Sequence, residues 1–330
     1  MLLLAATLVA SARPVPYFGV NQDFVWTKDS DIRPLIQAMK DAHIQAVRMP
    51  FRWNVIEPEP GRWNLTKLDA IVHALREARI EILPVLMGIP AWSSGIKPGT
   101  AEGFPDVYPP NKIEGWENYV RVVATRYHKE IRFWEIWNEE NGVDFFRPTP
   151  DAVKYVTLLK AAHDAIKQVN SRAVIVMGGL QMNGIIPNPW SPLKVENFLQ
   201  QIYDAGGRPY FDVVNIHPYV LATQQEGPAY AASLVRETLD EMKRNKDQRK
   251  PLWITETGIA TGNGVTEQIQ ADHLAGIYRE ISKIKQVKAV YWFLLRDMDT
   301  AVLGGENSMG IIAVDGRRKP AFGELQRASH

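Results

Sequence analysis

The 330-residue chain contains no cysteine, which excludes disulfides, thiolate catalysis and zinc–cysteine sites. It carries no real excess of either charge: 38 Lys and Arg face 37 Asp and Glu, a formal net charge of +1. That balance gives no electrostatic footprint for nucleic acid and no basic patch for anionic lipid. The seven histidines are spread so that no short HxxH or HExxH pair occurs, and there is no EF-hand loop. The phosphate-cradling G-x-x-x-x-G-K-[ST] loop and the G-x-S-x-G nucleophile turn are also lacking. Neither a metal nor a cofactor is expected. Beyond the first ten residues no apolar run approaches bilayer-spanning length.

What is there begins with MLLLAATLVA, which runs into Ala10-Ser11-Ala12, an A-x-A cleavage pattern, without a basic segment before it. Residues 1–12 are therefore expected to be a signal peptide. Residues 13–330 are expected to be one catalytic domain, secreted or periplasmic, monomeric and without a membrane span.

Short apolar runs rich in β-branched and aromatic residues recur eight times, at 17–21, 46–50, 81–87, 132–138, 173–178, 211–217, 252–256 and 289–294. Each is nearly continuous in hydrophobic character, as in strands covered on both faces. Segments of helical period lie between them. They run over 31–42 with Ser30 as N-cap, 65–78, 150–169, 229–244 and 266–283, the last opening at Thr266. This alternation predicts an α/β chain, a (β/α)₈ TIM barrel in a single domain. An open dinucleotide-binding sheet would show G-x-G-x-x-G after its first strand, where this chain has Asn21-Gln22-Asp23. Gly262-Asn263-Gly264 reads as a turn. The irregular stretches 88–110 and 183–192 follow strand ends, where barrels build active-site loops.

Polar and aromatic residues gather at those ends. The fourth strand ends Trp137-Asn138-Glu139, and the seventh ends Ile254-Thr255-Glu256. A carboxylate beyond a buried strand is costly unless paired or useful. Two of them, three strands apart, would face each other across a barrel mouth, and glycoside hydrolysis needs such a pair. A loop-anchoring salt bridge explains one such glutamate better than it explains two. Glu140 is a rival acid, and Glu135 lies inside the fourth strand. Asp297-Met298-Asp299 reads as a solvated acidic pair. Ten tryptophans suit a carbohydrate cleft, although core packing is the common fate of the residue.

Asn138-Glu139 and Glu256 resemble the clan A glycoside hydrolases, (β/α)₈ enzymes with catalytic glutamates on these two strands. Phe18-Gly19-Val20-Asn21, the Arg48-Met49-Pro50-Phe51-Arg52-Trp53 stretch, Glu57-Pro58-Glu59-Pro60-Gly61, the segment 134–141 and the segment 311–322 look most similar to family 39 and its exopolysaccharide-cleaving relatives. Family 5 is a more distant likeness. The resemblance implies a retaining enzyme with Glu139 as acid/base and Glu256 as nucleophile. Asn138 would bind the sugar 2-hydroxyl, Arg48 would hold Glu256 ionised, and His217 or Tyr219 would hydrogen-bond it. Trp292 would be the sugar platform, with Trp92 and Trp137 as further walls; Trp26, Trp63, Trp116 and Trp134 are left as structural. The substrate expected is a β-linked oligo- or polysaccharide, with internal cleavage of an exopolysaccharide or other cell-surface glycan as its finer form. A β-xylosidase-type exo-enzyme and a carbohydrate-binding barrel without activity are the alternatives, while an aldolase would need a strand-end lysine that is lacking.

Overall fold

The computed structural model describes residues 18–99, 104–182, 195–220, 227–298 and 308–329. The expected signal peptide, the stretch 183–192 and Asp299 lie outside the described residues. No described helix is long and apolar enough to cross a membrane.

Nine described strands run parallel: β1 (Phe18–Asn21), β2 (Ala46–Arg52), β3 (Glu81–Met87), β4 (Phe133–Ile136), β5 (Val174–Met177), β6 (Leu180–Gln181), β7 (Val214–His217), β8 (Leu252–Thr257) and β9 (Val287–Trp292). Their order is β5-β4-β3-β2-β1-β9-β8-β7-β6. Seven of the eight expected strands are thus single strands. The fifth differs, because Gly178-Gly179 interrupts it and leaves β5 and β6. The seventh expected strand, which carries Glu256, is therefore β8. The sheet curls back on itself: Met177 N donates to Val213 O at 3.1 Å, and Val176 bridges Val213 just before β7.

Helices cover the outer face, each presenting an apolar stripe. In the helix Asp29–Asp41 the buried side chains are Leu35, Ile36, Ala38 and Met39. That helix opens two residues earlier than its sequence suggests. Lys28 takes the cap position, Ser30 lies inside, and Asp29 and Asp31 place negative charge in the first turn, where the helix dipole favours it. Thr266 does cap the helix Glu267–Ile281, accepting from Ile269 N at 3.1 Å. Gly262, Asn263 and Gly264 all have positive φ, as the expected turn requires.

Inside the sheet is a second apolar cluster of Ala46, Leu83, Phe133, Val176, Val213, Trp253, Ala289 and Tyr291. Gly19 admits it: a Cβ there would stand 2.2 Å from the Tyr291 ring. This inner cluster floors the site.

Candidate active site

Side chains alternate along a strand, so a residue two past an inward apolar one also points inward. Ala46, Phe133, Val213 and Trp253 belong to the floor. Two positions on stand Arg48, Glu135, Asn215 and Thr255, all buried. One apolar layer is thereby followed by one polar layer, and Glu135 is settled as an interior residue.

Arg48 is the hub. Its Nε and Nη2 each donate to an oxygen of Glu135 at 2.8 Å. Nη2 also donates to Asn138 Oδ1 at 2.7 Å, and Nη1 to Asn21 Oδ1 at 2.9 Å and to Glu256 Oε1. Burial works against the guanidinium charge, but the Glu135 and Glu256 carboxylates outweigh it and hold the pKa above its ordinary value. Burial pushes Glu135 up, opposed by Arg48.

Glu256 Oε2 accepts from the Tyr219 hydroxyl at 2.8 Å. Glu139 follows β4 with φ of +50°, after Trp137 at +74°; this left-handed backbone is uncommon for such residues and clusters at functional sites. Glu139 Oε1 lies 2.8 Å from His217 Nδ1, and Oε2 accepts from Gln181 Nε2 at 3.1 Å. Burial, then the Arg48 charge, lowers the His217 pKa well below the usual value and keeps the ring neutral. One oxygen of each glutamate and a ring nitrogen of His217 lie within 4.8 Å of one another. These donors are close enough to suggest a metal trio. They are already engaged by Arg48, Tyr219 and Gln181, and the local positive charge is Arg48, so the arrangement suits acid–base chemistry better.

The structure therefore brings together Arg48, Asn138, Glu139, His217, Tyr219 and Glu256. His217 contacts Glu139 rather than Glu256, whose Oε2 is 3.8 Å from Nδ1. Trp92 lies on the helix Ala91–Ser94 after β3, 39% exposed, with its indole N–H on Glu57 O at 3.2 Å. Trp292 departs from expectation. It has no exposed surface, its indole N–H bonds Met309 O at 2.9 Å, and its ring meets His273 edge-on, so it offers no open platform. Trp137 is also buried, bonded to Phe145 O at 2.9 Å. Trp26, expected to be structural, is 69% exposed on the segment after β1. Asn21, Asn215, Thr255 and Gln181 were missed; the two-residue spacing from the apolar floor to Asn215 and Thr255 was the available signal. Asp297 is tied to Lys319 at 2.7 Å and is not a solvated acid.

Glu140 is no rival. Its carboxyl is fully buried, its oxygens lack well-formed hydrogen bonds, and it fills the space where a Cβ on Gly178 would lie 2.0 Å from Oε2. Burial pushes its pKa up to about 8, against a weaker pull from its own N–H and Tyr155. The unfolded chain gives up this proton near 4.5 and the folded chain near 8. The stability it supports is therefore complete below the lower value and lost as pH rises through the higher one. Glu140→Gln should remove a difference of roughly a few kcal/mol between about pH 5 and pH 9. Urea unfolding of both proteins at the two pH values checks this.

Residues 8–296 match the family described as Cellulase (glycosyl hydrolase family 5), and the chain belongs to that family. A β-galactosidase, LacA, of Lactobacillus acidophilus is 30% identical over 139 residues, 36% of this chain and 19% of that protein. The fold is shared with a family 39 glycoside hydrolase of Bacteroides cellulosilyticus WH2, at a TM-score of 0.73 and 21% identity over 96% of this chain and 64% of that one. A monomeric β-xylosidase of Caulobacter crescentus CB15 gives a TM-score of 0.71 and 17% identity, over 95% and 67% of the two chains. GH5_18 of Streptomyces cattleya, solved with GlcNAc, gives 0.70 and 18%, over 96% and 80%. The chain thus spans about a fifth of the curated relative and under two thirds of the first of these structures. Families 5 and 39 both stand among the similar folds, and what they share is the clan.

Proposed function

We propose that the protein is a retaining glycoside hydrolase acting on β-linked oligo- or polysaccharide by double displacement. The observation that carries the reading is the carboxylate pair, with oxygens within 4.8 Å. Retaining enzymes hold theirs about 5–5.5 Å apart, whereas inverting ones leave room for water. Glu256 attacks the anomeric carbon while Glu139 protonates the departing oxygen. Glu139 then takes a proton from water as that water releases the sugar. Arg48 and Tyr219 orient Glu256, and Asn138, itself fixed by Arg48, meets the 2-hydroxyl. We read β5 and β6 as one interrupted strand and the sheet as an eight-stranded barrel, supported by the Met177–Val213 bond.

An extended, internally cut glycan such as an exopolysaccharide is favoured by Trp26, Trp92 and Phe104, exposed by 69%, 39% and 70% on segments after β1 and β3. Sugars stack on such rings, and these segments, like the carboxylates, lie at or beyond the C-terminal ends of strands. Residues 1–12 serve export in this reading.

Digestion of a glycan panel, with product masses and the first-formed anomer read by NMR, tests the reaction. Internal cleavage with retained β configuration is expected; inverted products would end the double-displacement reading. Tyr219→Phe deletes one charge-assisted hydrogen bond to Glu256 and should lower kcat/KM roughly tenfold to a hundredfold. Steady-state kinetics on an aryl β-glycoside measures it.

A further inference from the structure

Resting on that reading, we propose that Thr255 is a positioning residue which fixes His217 as the Nε2–H tautomer, so that the imidazole holds Glu139 in its protonated form. The groups involved form one buried hydrogen-bonded chain. Asn215 is oriented by the backbone: its Oδ1 accepts from Thr255 N at 3.2 Å and its Nδ2 donates to Met177 O at 3.2 Å. The same Nδ2 donates to Thr255 Oγ1 at 2.8 Å, occupying one lone pair of the hydroxyl. The single hydroxyl proton then has two candidate acceptors, Glu135 Oε1 at 3.3 Å and His217 Nε2 at 3.0 Å.

Glu135 decides between them. Its two oxygens already receive Arg48 Nε and Arg48 Nη2, the partner set of a carboxylate, while both protons of Asn215 Nδ2 are taken by Met177 O and the nearer Thr255 Oγ1. If Thr255 gave its proton to His217, a bare hydroxyl lone pair would face that carboxylate. If it gives the proton to Glu135, every group in the chain is satisfied, with His217 Nε2–H donating to the remaining lone pair of Thr255. A neutral imidazole carries only one proton, so Nδ1 is then bare. The 2.8 Å contact between Nδ1 and Glu139 Oε1 must be bridged by a proton on Glu139.

The surrounding charges agree. Glu256 Oε2 is 3.8 Å from Nδ1, beyond hydrogen-bond reach, and its charge favours the neutral form of Glu139. Arg48 opposes a positive imidazole. Burial keeps Glu140 neutral below about pH 8, Gln181 carries no charge, and the Tyr219 hydroxyl donates to Glu256. The ring cannot easily turn away: Gly179 is side-chain-free where a Cβ would come 1.9 Å from Nε2.

For the reaction, the Oε1 proton leaves its hydrogen bond to His217 Nδ1 and passes to the glycosidic oxygen as the C–O bond breaks and the Glu256–carbon bond forms. The resulting Glu139 carboxylate then faces a bare nitrogen lone pair, which strengthens it as a base for the attacking water. The tautomer thus serves both steps.

The test is ¹⁵N–¹H NMR of the histidine rings, with His217 assigned by His217→Asn, alongside pH profiles of kcat/KM on an aryl β-glycoside. The wild type should show the proton on Nε2 with Nδ1 bare. Thr255→Val should move the proton to Nδ1, stabilise the Glu139 carboxylate and shift the alkaline limb down by roughly one pH unit. Thr255→Ser should restore the wild-type tautomer and profile. A wild-type His217 carrying its proton on Nδ1, or a valine variant with unchanged tautomer, overturns the proposal. The ring signals need no substrate. Nε2–H in an enzyme without glycosidase activity would sustain this chain and sink the functional reading instead.

Discussion

Glu256→Gln should lower kcat on every substrate by on the order of 10⁵-fold, as deletion of a covalent nucleophile does elsewhere. The amide matches the carboxylate in shape and still accepts from Arg48 or Tyr219, but it neither attacks the anomeric carbon nor offsets positive charge developing there. The fold should persist. Arg48 keeps Glu135 and Asn138 as partners, so no buried cation is stranded. Circular dichroism should be unchanged while turnover collapses, and trapping with a 2-fluoro glycoside should label the wild type only. Labelling of the variant, or turnover near normal, would remove Glu256 from its role.

Glu139→Gln should behave differently according to the leaving group. General acid–base assistance contributes roughly 10²- to 10⁴-fold, so unactivated glycans should lose about that much. A dinitrophenyl glycoside needs no proton to depart. Its first step should be nearly normal, with a burst of phenolate followed by slow release of sugar. Azide, which requires no deprotonation to attack, should then restore turnover and yield a glycosyl azide of retained configuration. Equal losses on both substrates would mean that Glu139 is structural.

How much of this was legible in sequence follows from what each residue type reports locally. The apolar runs around Val47, Leu83 and Ile254 reveal buried strands because both faces of such strands are covered. Asn138-Glu139 and Glu256 stand out because a charge beyond such a run is costly. Arg48, inside its strand, came from the family resemblance instead. Asn215 and Thr255 were missed because a single neutral polar residue within an apolar run is unremarkable until its neighbours are known. The partners of His217 depend on β5, β7 and β8 coming together, which no local pattern records. The interruption at Gly178-Gly179 was hidden because its cause, the space taken by Glu140 and His217, is tertiary. Trp292 failed for a related reason. The resemblance that suggested it matches a strand position, not what else lies over the ring.

The inner floor has one more effect. Phe133 and Trp253 pack at 5.0 Å between centroids, and Trp253 meets Tyr291 at 6.3 Å, closing the strand N-terminal side with aromatic rings. With that end filled among the described residues, water would reach the proposed sugar–enzyme intermediate from the mouth, by the route the departing half of the glycan has vacated. A concentrated sugar alcohol in that passage would compete directly with water as acceptor. Product distribution, chain lengthening against cleavage, should therefore follow acceptor concentration.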